Sequence, residues 1–371
     1  MFTVALFGAG KIGEAISALL SLSNKYKVKV CDYSPQRAEL LASAWKNCRP
    51  FQLDLKNKKA CLDILKGCNA VISALPFHCN LEVASLAQQS KVHYFDLTED
   101  VKTAKGIKKL ASKRSTRSCF MPQCGLAPGF ISIAAMHLVK SFDLVDSVKM
   151  RVGALPLYPS NRLKYNLTWS TEGLINEYCN LCEVINEKRR IKVLPLEGYE
   201  RISLDGDEYE AFNTSGGLGT LCETLEKKVR RLDYKSIRYP GHRDYIAFLL
   251  NDLRFYSDRE NLLHVLERSI TTTAQDKSLI FVDVAGQVKN KFIQRTYAST
   301  VYNAYIGNHH FGAIQLTTAS GVCTPLDLLL TGKIKKKAGL LKSEDIDLTD
   351  FLNNRFGHFY RDEKALKGLA V

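Results

Sequence analysis

The sequence predicts an α/β protein: a Rossmann-type doubly wound parallel sheet followed by a second, mixed α+β domain. Three observations predict it. Over residues 1–125, short β-branched runs alternate with stretches of helical period. The pattern Gly8-Ala9-Gly10-Lys11-Ile12-Gly13 directly follows the first such run and opens an amphipathic helix. After Pro128-Gly129 the alternation stops and elements of mixed type take over.

In chain order, strands are expected over 3–7, 27–32, 51–55, 70–76, 93–98 and 119–124. Between them lie helical stretches such as 11–23 and 35–46, the latter opened by Ser34 as N-cap and Pro35 in the first turn. The second part reads as a helix over 130–142, a strand from 145 and a strand over 163–170. A helix follows Thr171, then strands near 190–196 and 208–212, a helix over 263–270 and a hairpin over 278–300. From Asn308 a long helical stretch is expected to return to the first domain. The resulting division is 1–128 for a dinucleotide, 129–307 for substrate and dimerisation, and 308–371 as a C-terminal segment.

A length of 371 residues suits two to three domains, and 46% hydrophobic with 24% charged residues is a globular composition. No apolar run approaches the ~20 residues of a membrane span, and glycines occupy the place of a signal peptide's apolar region. A soluble cytoplasmic protein is expected, with its eleven scattered cysteines reduced. Cys179 and Cys182 would share one helix face and serve packing. The net charge is +14. Its lysines concentrate at 105–114 and 332–337 without aromatic interleaving, which reads as solvated helix faces, with neither nucleic acid nor membrane as partner.

In the glycine pattern, Gly8 permits the tight turn, Gly10 lets a pyrophosphate approach the backbone, and Gly13 lets helix and strand pack closely. Lys11 and Ile12 supply backbone N–H groups at the helix N-terminus. Asp32 ends the second strand where a carboxylate accepts hydrogen bonds from the adenosine ribose, which favours NAD over NADP, with Arg37 nearby as the residue that could accommodate a 2′-phosphate. Asp54, Ser73-Ala74-Leu75-Pro76 and Leu126-Ala127 lie at carboxyl ends of strands and complete the cofactor set.

These residues resemble the saccharopine dehydrogenase-like enzymes, the lysine 6-dehydrogenase branch most of all. The resemblance runs through GAGKIG, ISALP, YFDLTED and CGLAPG, then YNLTWSTEGLINEY, FNTSGGLGTLCETL and IRYPGH, in order over nearly the whole chain. Ala127 departs from it, since many members carry Asp in a G-x-D-P-G turn, and no role of that Asp transfers here. The resemblance implies NAD-dependent oxidation of the ε C–N bond of L-lysine by a homodimer, with saccharopine or a polyamine-derived secondary amine as the alternative substrate. A non-catalytic NAD-sensing protein is the alternative of another class.

Candidates for the chemistry follow. Asp96 ends the fifth strand, where it either faces the cleft to hold the substrate amine or a proton, or caps the next helix. Glu172 sits in the first turn of the helix after Thr171. Arg238 and His242 flank Pro240-Gly241, a stiff turn able to present a guanidinium to a carboxylate and an imidazole to a proton, or else are a surface arginine and a satisfied histidine. Thr214-Ser215-Gly216-Gly217 offers N–H groups and hydroxyls to an anion. His309-His310 lack further ligands at metal spacing, so no metal is expected.

Overall fold

The computed structural model describes residues 1–361, which fall into two compact units. The first comprises Met1–Phe130 and Gln315–Phe359, the second Ile131–Ile314 and, of the described residues, 360–361. Residues 308–314 therefore group with the second unit, while 315–359 group with the first.

The first unit begins β1 (Phe2–Phe7), α1 (Lys11–Leu22), β2 (Tyr26–Asp32), α2 (Pro35–Ser43), β3 (Cys48–Gln52) and α3 (Lys58–Leu65). It continues β4 (Ala70–Ser73), α4 (Asn80–Ser90), β5 (His93–Asp96), α5 (Val101–Ala111) and β6 (Cys119–Met121). These strands form one parallel sheet in the order β6-β5-β4-β1-β2-β3, and buried Val, Ile, Ala and Phe fill β1 and β4 as covering on both faces demands. β3 starts three residues earlier than the β-branched run suggests. It pairs Val30 with Pro50, and a proline with no N–H is tolerated because β3 is the sheet's edge.

The second unit holds α6 (Phe130–Val139, entering from the first), β7 (Leu144–Pro156), α7 (Thr171–Cys179), β8 (Cys182–Asn186), β9 (Arg189–Val193) and β10 (Glu200–Leu204). Then come β11 (Asp207–Asn213), α8 (Leu221–Leu225), β12 (Arg231–Arg238), α9 (His242–Ala247), α10 (Arg259–Ser269), β13 (Asp276–Val288) and β14 (Lys291–Tyr302). The main sheet runs β10-β11-β12-β7-β13-β14, with β12 and β7 parallel and the rest antiparallel. A core of Tyr165, Leu174, Ile175, Tyr178, Phe212, Ile246 and Leu266 lies between this sheet and its helices.

Four expectations are corrected. No strand forms over 163–170; Asn161 instead bonds the backbone of Tyr165 on both sides, and Lys164 takes a φ of 51°. Cys179 and Cys182 do not share a helix face, because α7 ends at Cys179 and Cys182 begins β8; both thiols are free and buried. His309 and His310 belong to a small hairpin, β15 (Ala304–Ile306) with β16 (His309–Phe311), ahead of α11 (Ala313–Leu330). Residues 332–337 form an exposed turn rather than a helix, leading into β17 (Gly339–Leu340), which extends the first sheet beside β6.

α11 is long and apolar enough to cross a membrane, yet 83% of it is buried inside the protein, as in a core helix. Its Asp327 is buried and accepts from the hydroxyl of Tyr26 at 2.6 Å and from Asn354 at 2.7 Å. That binds the segment after α11, with α12 (Leu348–Asn353), to β2.

Candidate active site

The order β4-β1-β2 makes the carboxyl end of β1 the point where the chain turns from one side of the sheet to the other, the crevice in which open α/β sheets bind ligands. The glycine turn occupies it. Gly8 has a φ of 110°, and a Cβ there would meet the carbonyl oxygen of Ala74 at 2.7 Å, so Gly8 is required by the turn and by the tip of β4. A Cβ on Gly13 would collide with the carbonyl of Gly8. Gly10 differs: its φ is an ordinary −87°, and a Cβ there would meet nothing within 4 Å. No protein atom needs a glycine at that position. The open space stands against the first turn of α1, whose N–H groups and dipole favour an anion.

Asp32 is tied into the same turn. Its Oδ2 accepts from Ala9 N at 2.8 Å and its Oδ1 from Ser34 N at 3.0 Å, leaving lone pairs on both oxygens for a diol. Lys11 is exposed, and its carbonyl accepts from Gln315 of α11 at 3.0 Å. Ile12 is half-buried. Ser73 is buried and donates to Asn80 at 2.7 Å, so it braces the strand end, while Ala74 and Leu75 lie against Gly8 and Pro76 is exposed. Asp54 caps its own turn through Lys56 N. Leu126 is buried and Ala127 half-buried in a turn closed by Gly125 and Gly129, against which Gly321 of α11 packs.

Asp96 ends β5 as expected but does not face solvent. It is fully buried, accepting from Thr98 N at 2.9 Å, Gln123 N at 3.0 Å and Tyr94 Oη at 2.7 Å. Burial pushes its carboxyl up to about 6, and these donors pull the other way. It is a brace between β5 and the segment after β6.

In the second unit, Arg238 and His242 do not stand on the surface of their turn; they are 3% and 1% exposed. Glu210 pins the turn, accepting from Gly241 N at 2.8 Å and Arg243 N at 2.6 Å. Arg238 donates through Nε to Tyr178 Oη at 2.9 Å and through Nη1 to the Ile237 carbonyl at 2.9 Å, and its Nη2 is 3.6 Å from Glu177. It also lies over the rings of Tyr165 and Tyr178, at 5.3 and 5.8 Å from their centroids.

The proton positions in this cluster follow from its acceptors. The Leu163 carbonyl, 2.9 Å from His242 Nδ1, can only accept, so Nδ1 carries the hydrogen of the neutral ring and Nε2 offers a lone pair. Tyr178 Oη, 2.9 Å from Nε2, therefore donates to His242 while accepting from Arg238. Burial, and after it the charge of Arg238, lower the His242 pKa to about 3. The ring acts as a hydrogen-bond acceptor rather than a base at neutral pH.

Between about 3 and the ordinary ~6.5 the unfolded chain binds the His242 proton and the folded one does not, so this residue's stabilisation is complete above 6.5 and declines as the pH falls through that window. In imidazole 15N spectra, His242 is expected to keep one neutral tautomer from pH 8 down to 5; protonation above 5 would contradict this arrangement.

Glu172 is exposed on the first turn of α7 and is not part of the cluster. Glu177, Tyr178 and Tyr165, which sequence reading passed over, are. Thr214 shares a 2.7 Å hydrogen bond with Ser236 of β12, and Ser215 donates through its hydroxyl to the Asn176 carbonyl and through its backbone N to the Glu177 carbonyl, so the first hydroxyl braces the sheet and the second ties the loop to α7. Among the described residues, no group of three His, Cys, Asp or Glu side chains is placed to hold a metal.

A parallel sheet with a glycine turn at its switch point, followed by a second mixed-sheet unit, is an architecture that two-domain nicotinamide-dependent oxidoreductases use. Residues 4–118 match the saccharopine dehydrogenase NADP binding domain, and residues 125–357 match the saccharopine dehydrogenase C-terminal domain. The chain belongs to the saccharopine dehydrogenase family. Apo histidine-tagged saccharopine dehydrogenase (L-Glu forming) from Saccharomyces cerevisiae shares the fold, with a TM-score of 0.73 and 16% identity over 100% of this chain and 98% of that one. The DAP dehydrogenase of C. glutamicum in complex with DAP is more distant, with a TM-score of 0.48 and 7% identity over 100% and 99% of the two chains.

Proposed function

We propose that this protein oxidises the ε C–N bond of L-lysine with NAD as hydride acceptor. The observation that carries the cofactor half is the open space over Gly10 at the head of α1, flanked by the fixed carboxylate of Asp32. The substrate half rests on family membership and on the second-unit segments YNLTWSTEGLINEY and IRYPGH. The balanced reaction takes the protonated amine, NAD and water to the aldehyde, NADH, ammonium and a proton. A hydride leaves the ε-carbon, a proton leaves the nitrogen, and water then replaces the nitrogen.

Bound at the glycine turn, the nicotinamide cofactor supplies the electron sink. The chain's own part is to hold and orient. Gly8 and Gly13 close the turn, Gly10 leaves room for the pyrophosphate beside the N–H groups of α1, and Asp32 accepts from the ribose hydroxyls. Arg238, its guanidinium already shared among Tyr178, Ile237 and Glu177, acts as a positioning residue rather than as the carboxylate anchor expected of it.

The matched family domain carries NADP in its name, but Asp32 is this chain's own residue at the ribose. Its negative charge opposes a 2′-phosphate, and Arg37 is exposed and makes no ion pair with it among the described residues. Calorimetric titration should show NAD binding at least about tenfold tighter than NADP, a difference of ~1.4 kcal/mol. Tighter NADP binding would overturn this reading of Asp32.

A further inference from the structure

Two lysine runs more than two hundred residues apart in the chain meet on one surface of the first unit. β17 pairs with β6 through Gly339 N to the Ser118 carbonyl at 3.0 Å and Leu341 N to the Phe120 carbonyl at 2.8 Å. Cys119 Sγ donates to the Lys336 carbonyl at 3.2 Å. The turn bearing Lys333, Lys335, Lys336 and Lys337 is thereby held against the segment at the end of α5, which bears Lys109, Lys113, Arg114 and Arg117. All eight side chains belong to exposed residues, and none makes an ion pair among the described residues. Residues 101–142 and 328–343 contain no Asp or Glu at all. The dipole of α5 accounts for a lysine in its last turn, such as Lys109, and not for the rest.

We propose that this surface docks the phosphate backbone of duplex DNA without reading its sequence. Eight like charges gathered on one face create a field that draws a polyanion. The two segments expose no aromatic or large apolar side chain. Single strands are held by stacking on aromatic rings, and stable attachment to a bilayer takes an apolar signal besides charge, whereas a duplex needs only its phosphates neutralised. Lysine ammonium groups, compact and freely oriented, suit that contact. The surface lies at the amino ends of β6 and β17, and the glycine turn lies at the carboxyl end of β1 in the same parallel sheet. Docking and cofactor binding therefore occupy opposite ends of the sheet.

Fluorescence anisotropy of a labelled DNA duplex of arbitrary sequence tests this with the full chain. If five of the eight cations meet phosphates, log affinity should fall with log salt at a slope of about −4.5, a loss of about 500-fold between 50 and 200 mM. Replacing Lys335, Lys336 and Lys337 together with glutamine should weaken binding at least tenfold at low salt and flatten the slope by about 2.7, with NAD affinity unchanged. Absence of binding at 50 mM salt would overturn the proposal. So would binding that the triple substitution leaves intact, binding to single strands only, or capture by anionic phospholipid vesicles without capture by the duplex.

Discussion

Replacing Arg238 with alanine should destabilise the second unit by about 3 to 5 kcal/mol, the cost of breaking a buried ion pair by removing one partner. Glu177, 6% exposed and 3.6 Å from Arg238, would lose that cation, and Tyr178 would lose the donor that orients its hydroxyl toward His242. The double variant Arg238→Met with Glu177→Met should be more stable than Arg238→Met alone, because the second substitution removes the buried carboxylate that faced Arg238. Chemical denaturation of the parent, the two single variants and the double variant gives the coupling. A coupling near zero would mean that Arg238 faces a ligand and contributes little to the unit's own stability.

Replacing Gly10 with valine should abolish measurable NAD affinity, a loss of at least about 100-fold, and leave the fold as stable as the parent's to within ~1 kcal/mol. Both halves rest on one observation. The position has an ordinary φ and open space where a Cβ would point, so the protein accommodates the side chain and the pyrophosphate cannot. Gly8→Val is the contrasting variant, since its φ of 110° and the nearby Ala74 carbonyl make it fail in folding. Calorimetric titration beside thermal unfolding separates the two outcomes. Parent-like NAD affinity in Gly10→Val would reduce the glycine pattern to a turn.

The parallel sheet was legible because most of its strands are short runs rich in apolar residues set between helical stretches, and Gly8 and Asp32 mark the ends of β1 and β2; β3, with the sequence CRPFQ, was placed three residues late. β17 was not legible, since two residues carry no period and its pairing with β6 depends on a segment more than two hundred residues away. The same long-range contact hid the meeting of the two lysine runs. In the second unit, Arg238 and His242 stood out by residue type, but their burial did not: it depends on Glu177 and Tyr178 of α7, on Tyr165 and on Glu210, brought together only by the fold. Asp96 was legible at the end of β5, and its local bond from Thr98 N two residues on fits the Asx-turn alternative; the enclosure by Tyr94 Oη and Gln123 N that takes it out of solvent was not legible, because Gln123 is 27 residues away. For Glu172 and Glu177, on the same helix, helical period separates the exposed residue from the buried one, and that signal was available.

The most direct measurement of the central claim is product stoichiometry for the parent protein supplied with NAD and L-lysine. One NADH and one ammonium should appear for each lysine consumed, with the aldehyde trapped by an added amine reagent. No NADH from lysine, together with NADH and glutamate release from saccharopine, would contradict the assignment and place the reaction at a secondary amine.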